Sequence, residues 1–234
     1  MLKQAQPQPP TLLLFVATPG EQRAVQGAAP GAVQVVCTGI GPANAACAAQ
    51  RALTALPPAC RPLVAVFGIG GALSPALAVG DVVLGVHTRL VEGDPLPGCP
   101  ATLARTAARL TAAGFTVHQG DHLTTPQVVC HAAEKRRLHA QTTALVVDME
   151  SHAIARAAQR SELPLLLVRI ISDDAQQDLP NLNAGLDPNY ALRPLEMSAT
   201  LLFHPLAAAR FLRHLRQALL KLRQVADVCL TDLS

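Results

Sequence analysis

Short apolar runs recur along the chain and are separated by segments with helical spacing. The runs lie at 11–17, 32–37, 62–71, 80–90, 144–149 and 164–171, and a more polar segment at 115–123 also looks like a strand. Continuous runs of this length are typical of strands that are buried on both faces of a sheet. The segments between them predict helices at 20–28, 43–56, 100–114, 134–142 and 150–161. Strands that alternate with helices predict an α/β fold whose parallel or mixed sheet is covered on both faces.

The end of the chain has a different pattern, because residues 205–226 predict a C-terminal amphipathic helix. Its arginines lie away from a row of leucines at positions 212, 215, 219 and 222. Such a helix usually packs on its own domain, but a basic one can also lie on an anionic membrane surface. No repeat and no linker interrupt the chain, so we expect a single domain over 1–234 with a loose tail at 1–10.

Composition narrows the classes of partner and compartment. Half of the 234 residues are hydrophobic and 15% are charged, as in a globular protein. The net charge of +3, with one Tyr and no Trp, argues against a nucleic-acid partner. The cysteines form no CxxC pair and no histidines have HExxH spacing, so no metal site is expected. No signal peptide and no apolar run of about 20 residues is visible, which predicts a cytoplasmic protein.

Acidic residues stand where two predicted strands end. Asp148 and Glu150 follow the run at 144–149, and Asp173 and Asp174 follow the run at 164–171. Ligands of open α/β sheets bind outside the carboxyl ends of the strands, so we expect these groups to share one pocket. Neighbouring carboxyls also make one another harder to ionise, so that one of them can donate a proton. The alternative is that each pair only caps a helix.

Two glycine turns follow predicted strands. "TGIGPANAA" resembles a dinucleotide fingerprint, but Asn44 replaces the third glycine and no acidic residue lies about 20 positions further on, so a tight turn is the better interpretation. "FGIGGAL" can present backbone N–H groups to a ligand, or it can be a structural turn.

These motifs together resemble a known family. "VATPGE", "TGIGPANAA", "FGIGGALSPALAVGDVV", "VVDMESHAIARAA" and "VRIISDDA" are similar to motifs of the nucleoside phosphorylase and methylthioadenosine–adenosylhomocysteine nucleosidase superfamily, over about residues 12–180. The resemblance implies a three-layer α/β/α sandwich around a mixed, twisted sheet, a small-molecule nucleoside substrate, no cofactor, and a homo-oligomer, here expected to be a dimer. The chain looks most like the hopanoid-associated branch, which is linked to release of adenine from adenosylhopane. A lipid-linked substrate would suit this branch, and the basic helix at 205–226 leaves peripheral membrane contact open as an alternative to packing on the domain.

The resemblance also implies roles for individual residues. Asp173, with Ser172 beside it, matches the acid that protonates the purine N7. Glu21 matches a glutamate that helps to activate water. Glu150 matches the residue that holds the ribose hydroxyls, and Met149 packs against the sugar.

Further substrate contacts are implied by position. The glycine-rich turn that lines ribose and base corresponds to Gly68, Ile69, Gly70 and Gly71. Leu123 stands where the family places an aromatic side chain that packs on adenine.

The chain departs from the phosphorylase pattern at the phosphate site. Purine-type phosphorylases place Arg in the first loop, Arg on the third strand and Ser in the glycine turn, whereas this chain has Glu21, Val66 and Ile69. Hydrolysis is therefore favoured over phosphorolysis. A phosphate-dependent phosphorylase and a nucleoside- or lipid-binding protein without turnover stay open as alternatives.

Overall fold

A computed structural model describes residues 9–29 and 31–231, so most of the predicted tail at 1–10 lies outside the described residues. The strands are β1 (Leu12–Val16), β2 (Val33–Cys37), β3 (Leu63–Ala72), β4 (Val82–Arg89), β5 (Leu96–Pro97), β6 (Val117–Thr124), β7 (Val146–Asp148) and β8 (Leu165–Asp173). The α-helices are α1 (Pro19–Gln26), α2 (Pro42–Thr54), α3 (Pro100–Ala112), α4 (Ala132–Thr142), α5 (Ser151–Arg160), α6 (Pro194–Phe203) and α7 (Pro205–Leu230), and a 3-10 helix spans Leu182–Gly185.

The strands of the described residues belong to one mixed sheet. β1 pairs in parallel with β2 and β3, and β3 pairs in parallel with β8. β4 is antiparallel to β8 and parallel to β6, which in turn is parallel to β7. β7 then pairs in antiparallel orientation with the end of β3, so five of the strands form a closed ring. The prediction of an α/β fold around a mixed sheet is confirmed, and the ring closure is an addition to it.

Helices cover both faces of the sheet, which explains the continuous apolar runs. In β1, Leu12 and Leu14 pack in the cluster formed with α1, α3 and α7, whereas Leu13 and Phe15 pack in the cluster formed with α2 and α5. Successive side chains of a strand point to opposite faces, so each must be apolar where both faces are covered. Each such fully buried side chain contributes about 1.5–3 kcal/mol of transfer free energy.

A β-bulge between β3 and β8 prepares the site. Gly70 pairs with Ile171 and Gly71 with Asp173, so Ser172 is an extra residue in its strand. In a regular strand two consecutive side chains would point to opposite faces, and a bulge breaks that alternation. Ser172 and Asp173 consequently both line the same cavity.

The C-terminal helix is amphipathic, as predicted, and its two halves have different surroundings. Ala218, Leu222 and Val225 are buried in the main core, whereas Leu206 near its start is 87% exposed. The preceding helix α6 was not predicted, and none of its residues is buried. Within 9–29 and 31–231, no helix is both long and apolar enough to span a bilayer.

Candidate active site

A cavity of about 220 Å³ opens at the carboxyl ends of several strands. Its apolar wall includes Ile40, Ile69, Val128, Met149 and Phe211. The charged residues among its described lining are all acidic: Glu21, Asp148, Glu150 and Asp173. The structure therefore brings both predicted acidic groups into one pocket.

Two carboxylates at the join of β7 and α5 have different partners. Asp148 Oδ1 accepts hydrogen bonds from the N–H groups of Glu150 and Ser151, both at 3.1 Å, and from Thr124 Oγ1 at 2.8 Å. Asp148 thus satisfies the first N–H groups of α5, which is a capping role. Glu150 Oε1 accepts a bond of 2.9 Å from the N–H of Gly41. The helix-end interpretation therefore describes Asp148, whereas Glu150 is available to a ligand.

Arg169 lies behind these carboxylates in the middle of β8 and is 1% exposed. Its Nε is 3.0 Å from Asp148 Oδ2, and its Nη2 is 3.5 Å from Glu150 Oε2. Nη2 also donates to Ser151 Oγ at 3.2 Å. A buried guanidinium needs such partners, because an unpaired charge in the interior is strongly destabilising.

Burial and the local charges give the two carboxyls different affinities for a proton. Burial raises the pKa of Glu150 to about 7, against the opposing effect of Arg169 and with the help of Asp148. Burial alone would also raise the pKa of Asp148, but Arg169, His122 and hydrogen bonds outweigh it and leave that pKa below its usual range. Asp148 is therefore an ionised partner of Arg169 at neutral pH, whereas Glu150 changes its charge near pH 7.

Asp173 is held by donors on both of its oxygens. Lys135, which is fully buried on α4, donates to Asp173 Oδ2 and, at 2.6 Å, to the carbonyl of Asp174. Ser172 Oγ lies 2.8 Å from Asp173 Oδ1 and 3.1 Å from the carbonyl of Gly70, and its single proton serves one of them at a time. The carboxylate is held in place and still lines the cavity.

Glu21 is part of a capping box at the start of α1. Its Oε2 accepts from the N–H of Ala17 at 2.9 Å, the N–H of Thr18 at 2.8 Å and Thr18 Oγ1 at 3.0 Å. Its Oε1 accepts from the N–H of Ile69 at 2.8 Å. A carboxylate offers about four acceptor positions, two on each oxygen, so Oε1 retains one position for a further donor such as water.

Most of the residues predicted for the site line the cavity: Glu21, Ile69, Gly70, Gly71, Met149, Glu150, Ser172 and Asp173. Asp174 does not, because its Oδ1 caps the following turn through the N–H groups of Gln176 and Gln177.

Two predicted positions need correction. Leu123 is 0% exposed within the cluster that contains Leu73 and Leu138, and the chain after β6 reaches the cavity only from Thr125 onward. Gly68 does not line the cavity either. A Cβ on Gly68 would overlap Arg169 Nη1, so the missing side chain makes room for the guanidinium.

Sequence reasoning missed the two buried cations, Arg169 and Lys135. A charged residue inside an apolar strand run was the available signal for Arg169, since a buried arginine requires a carboxylate partner. Lys135 stands among other charged residues in "EKRRLH" and carries no comparable signal.

The arrangement suits a particular kind of chemistry. Carboxylates at a cavity wall stabilise a cation that develops between them, and a carboxyl held at the same wall can exchange a proton with a leaving group. Fold and site together define an α/β protein with an acidic cavity at the ends of its strands.

The chain belongs to the Phosphorylase superfamily, which it matches over residues 14–202. It is similar in structure to the 5′-methylthioadenosine/S-adenosylhomocysteine nucleosidase of Helicobacter pylori, with a TM-score of 0.65, 15% identity and coverage of 88% of this chain and 97% of that one. The corresponding nucleosidase of Neisseria meningitidis has a TM-score of 0.64 and 18% identity, with coverage of 88% of this chain and 98% of that one. Futalosine hydrolase of Helicobacter pylori has a TM-score of 0.64 and 16% identity, with coverage of 88% of this chain and 97% of that one. The superfamily prediction is confirmed, and the chain shares its fold with these three proteins.

Proposed function

We propose that the protein is a purine nucleoside N-glycosidase that releases adenine from a 5′-substituted adenosine by hydrolysis. The observation that carries this proposal is the charge of the cavity, whose described lining contains four carboxylates and no lysine or arginine. Cleavage of the glycosidic bond leaves positive charge on the sugar, which carboxylates stabilise. The similar folds of adenine nucleoside hydrolases agree with it.

Each carboxylate at the cavity has a role in this proposal. Asp173 donates a proton to N7, so that adenine leaves as a neutral molecule. Glu150 binds the ribose hydroxyls and places its negative charge beside the developing cation, while Met149 packs against the sugar. Glu21 orients the attacking water through the free acceptor position of Oε1.

Water is the proposed nucleophile because the cavity offers little to phosphate. Val66, at a position where a phosphorylase carries arginine, is 1% exposed in the apolar core. Ile69 lines the cavity with an apolar side chain, and its N–H is bonded to Glu21. A phosphate dianion would therefore meet carboxylates, and the two cations behind the cavity wall, Arg169 and Lys135, are already paired with those carboxylates. The alternative is a phosphorylase that uses the same acid.

The substituent on the ribose 5′ carbon is proposed to be apolar, as in adenosylhopane. Support comes from the apolar helix surface, which we define as Leu195, Leu202, Phe203 and Leu206, each at least 79% exposed. Phe211 of the cavity wall lies five residues after Leu206 on α7, about 1.4 turns along the helix. A substrate with a lipid tail could place its adenosine in the cavity and its tail along this surface.

Peripheral membrane contact follows from the same surface. Arginines at positions 193, 210, 213 and 216 flank it, and basic residues beside exposed apolar ones favour an anionic lipid surface. Leu206→Glu tests this, since an acidic residue in the first turn of α7 suits the helix dipole and does not disturb folding. The Leu206→Glu variant should no longer sediment with phosphatidylglycerol vesicles, whereas a Val91→Glu control should still do so. Equal binding of both variants to the vesicles would contradict membrane contact through this surface.

A dimer in the cytoplasm is the proposed assembly and location.

The activity is tested by assaying release of adenine from methylthioadenosine, adenosylhomocysteine and adenosylhopane, and of hypoxanthine from inosine, with and without phosphate. Release of adenine without phosphate from one or more of the adenine nucleosides supports the proposal. Strict dependence on phosphate would identify a phosphorylase. Binding without release would identify a nucleoside- or lipid-binding protein.

A further inference from the structure

Lys135 is a buried cation that has no role in the reaction proposed for the cavity residues. It is 0% exposed, and its ammonium donates hydrogen bonds at the end of β8, to the carboxylate of Asp173 and to the carbonyl of Asp174, the next residue. Lysine is almost never fully buried unless it is paired, and its ammonium costs several kcal/mol to remove from water. The carboxylate that Lys135 contacts is therefore the proposed acid, Asp173.

The ion pair between Lys135 and Asp173 bears on the source of the proton that adenine gains at N7. A carboxylate paired with an ammonium carries no proton of its own, yet the leaving adenine must gain one at N7. Ser172 cannot supply it as a net donor, because its hydroxyl proton is shared between Asp173 Oδ1 and the carbonyl of Gly70. The nearest mobile proton that the structure offers to Asp173 is on Lys135 Nζ.

We infer that Lys135 supplies the proton that Asp173 passes to N7, so that it is a positioning and relay residue behind the acid. This inference rests on the proposed nucleosidase function. Asp173 is only 8% exposed, and a purine in the cavity would exclude the remaining water. Charged groups lose more solvation free energy than neutral groups when water is removed. Filling the site therefore favours the neutral amine and carboxylic acid over the ammonium and carboxylate.

The step is balanced. A proton moves from Lys135 Nζ to the Asp173 carboxylate and from there to N7, while the C1′–N9 bond breaks and its electron pair stays on the base. The oxygen of water bonds to C1′ and releases one proton. That proton restores the ammonium of Lys135, so the sum is nucleoside and water to adenine and free sugar.

The test compares two leaving groups. Methylthioadenosine requires protonation of its base, whereas the matching 4-nitrophenyl riboside loses a phenolate that is stable without a proton. Lys135→Met removes the charge and keeps the length of the side chain. We expect it to lose about 10²–10⁴-fold in kcat on methylthioadenosine, the usual contribution of general acid catalysis, and to retain most of its rate on the riboside.

Lys135→Arg separates a relay from a static ion pair. Arginine keeps the charge and the donors but does not give up a proton in proteins, so we expect the same selective loss. Full rescue by arginine would overturn the relay, and so would an equal loss on both substrates by either variant. If the Met variant does not fold, the Arg variant carries the test alone.

Controls distinguish this inference from the proposed function. Lys221→Met, which removes a lysine that packs over the ring of Phe115, should leave both rates unchanged. Asp173→Asn should show the selective loss. If the wild-type protein cleaves neither substrate, the proposed function fails. If Asp173→Asn shows the selective loss and Lys135→Met does not, only the relay fails.

Discussion

Replacement of Gly68 by alanine tests whether the buried charge network behind the cavity is as closely packed as the structure indicates. A Cβ on residue 68 would overlap Arg169 Nη1 and lie 2.5 Å from Glu21 Oε1. Neither group can move aside cheaply. Arg169 is bonded to Asp148, Glu150 and Ser151, and Glu21 accepts four hydrogen bonds.

The magnitude follows from what the methyl group would break. Separating a buried ion pair typically costs about 3–5 kcal/mol, because it leaves a charge uncompensated. We expect Gly68→Ala to lose about 3 kcal/mol or more of its free energy of unfolding, measured by urea denaturation. Adenine release should fall with it, since Glu21 and Glu150 would both be displaced from the cavity wall.

Gly27→Ala is the matched control. Gly27 is the C-cap of α1 with φ of −69°, and a Cβ there would have no atom within 4 Å. This variant should be as stable as the wild type or slightly more so. If Gly68→Ala unfolds at the same urea concentration as the wild type and retains its activity, the close packing of Arg169 beneath the site is refuted.

Three further predictions concern the cavity residues. The pKa of Glu150 is raised from 4.5 to about 7 in the native state, so protonated Glu150 stabilises the fold fully below pH 4.5 and this stabilisation is lost as the pH rises through 7. The temperature of thermal unfolding, measured between pH 5 and 8, should therefore fall with rising pH. The variant Glu150→Gln should not show this pH-dependent fall. In steady-state kinetics Glu150→Gln should lower kcat more than it raises KM, because its charge acts on the transition state; a change in KM alone would contradict this role. Ser172→Ala should lower kcat by roughly fivefold, the equivalent of about 1 kcal/mol for one hydrogen bond to Asp173, whereas Asp174→Asn should leave kcat unchanged.

The order of strands and helices was predictable because both faces of the sheet are covered. Apolar runs of strand length mark β1 and β8, and polar residues at the ends of such runs are conspicuous. The acidic cavity residues could be predicted for the same reason. Helix α6 could not, because none of its residues is buried and its pattern therefore has no core-facing stripe.

The remaining errors concern the direction of single side chains. Leu123 and Thr125 are two residues apart, and only the point at which β6 ends decides which of them reaches the cavity. The β-bulge at Ser172 depends on the pairing of two distant strands, which no local pattern reveals. Gly68 was assigned to the cavity with its neighbours, because the sequence does not show that Arg169 occupies the space beside it.

Release of adenine from methylthioadenosine in phosphate-free buffer, followed by chromatography of both products, tests the proposed hydrolysis directly. The wild-type protein should release adenine and free methylthioribose, and millimolar phosphate should not accelerate the reaction. Asp173→Asn, with the same fold by circular dichroism, should be slower by about 10²–10⁴-fold. A requirement for phosphate with a ribose 1-phosphate product would contradict hydrolysis, and full activity of Asp173→Asn would contradict Asp173 as the acid.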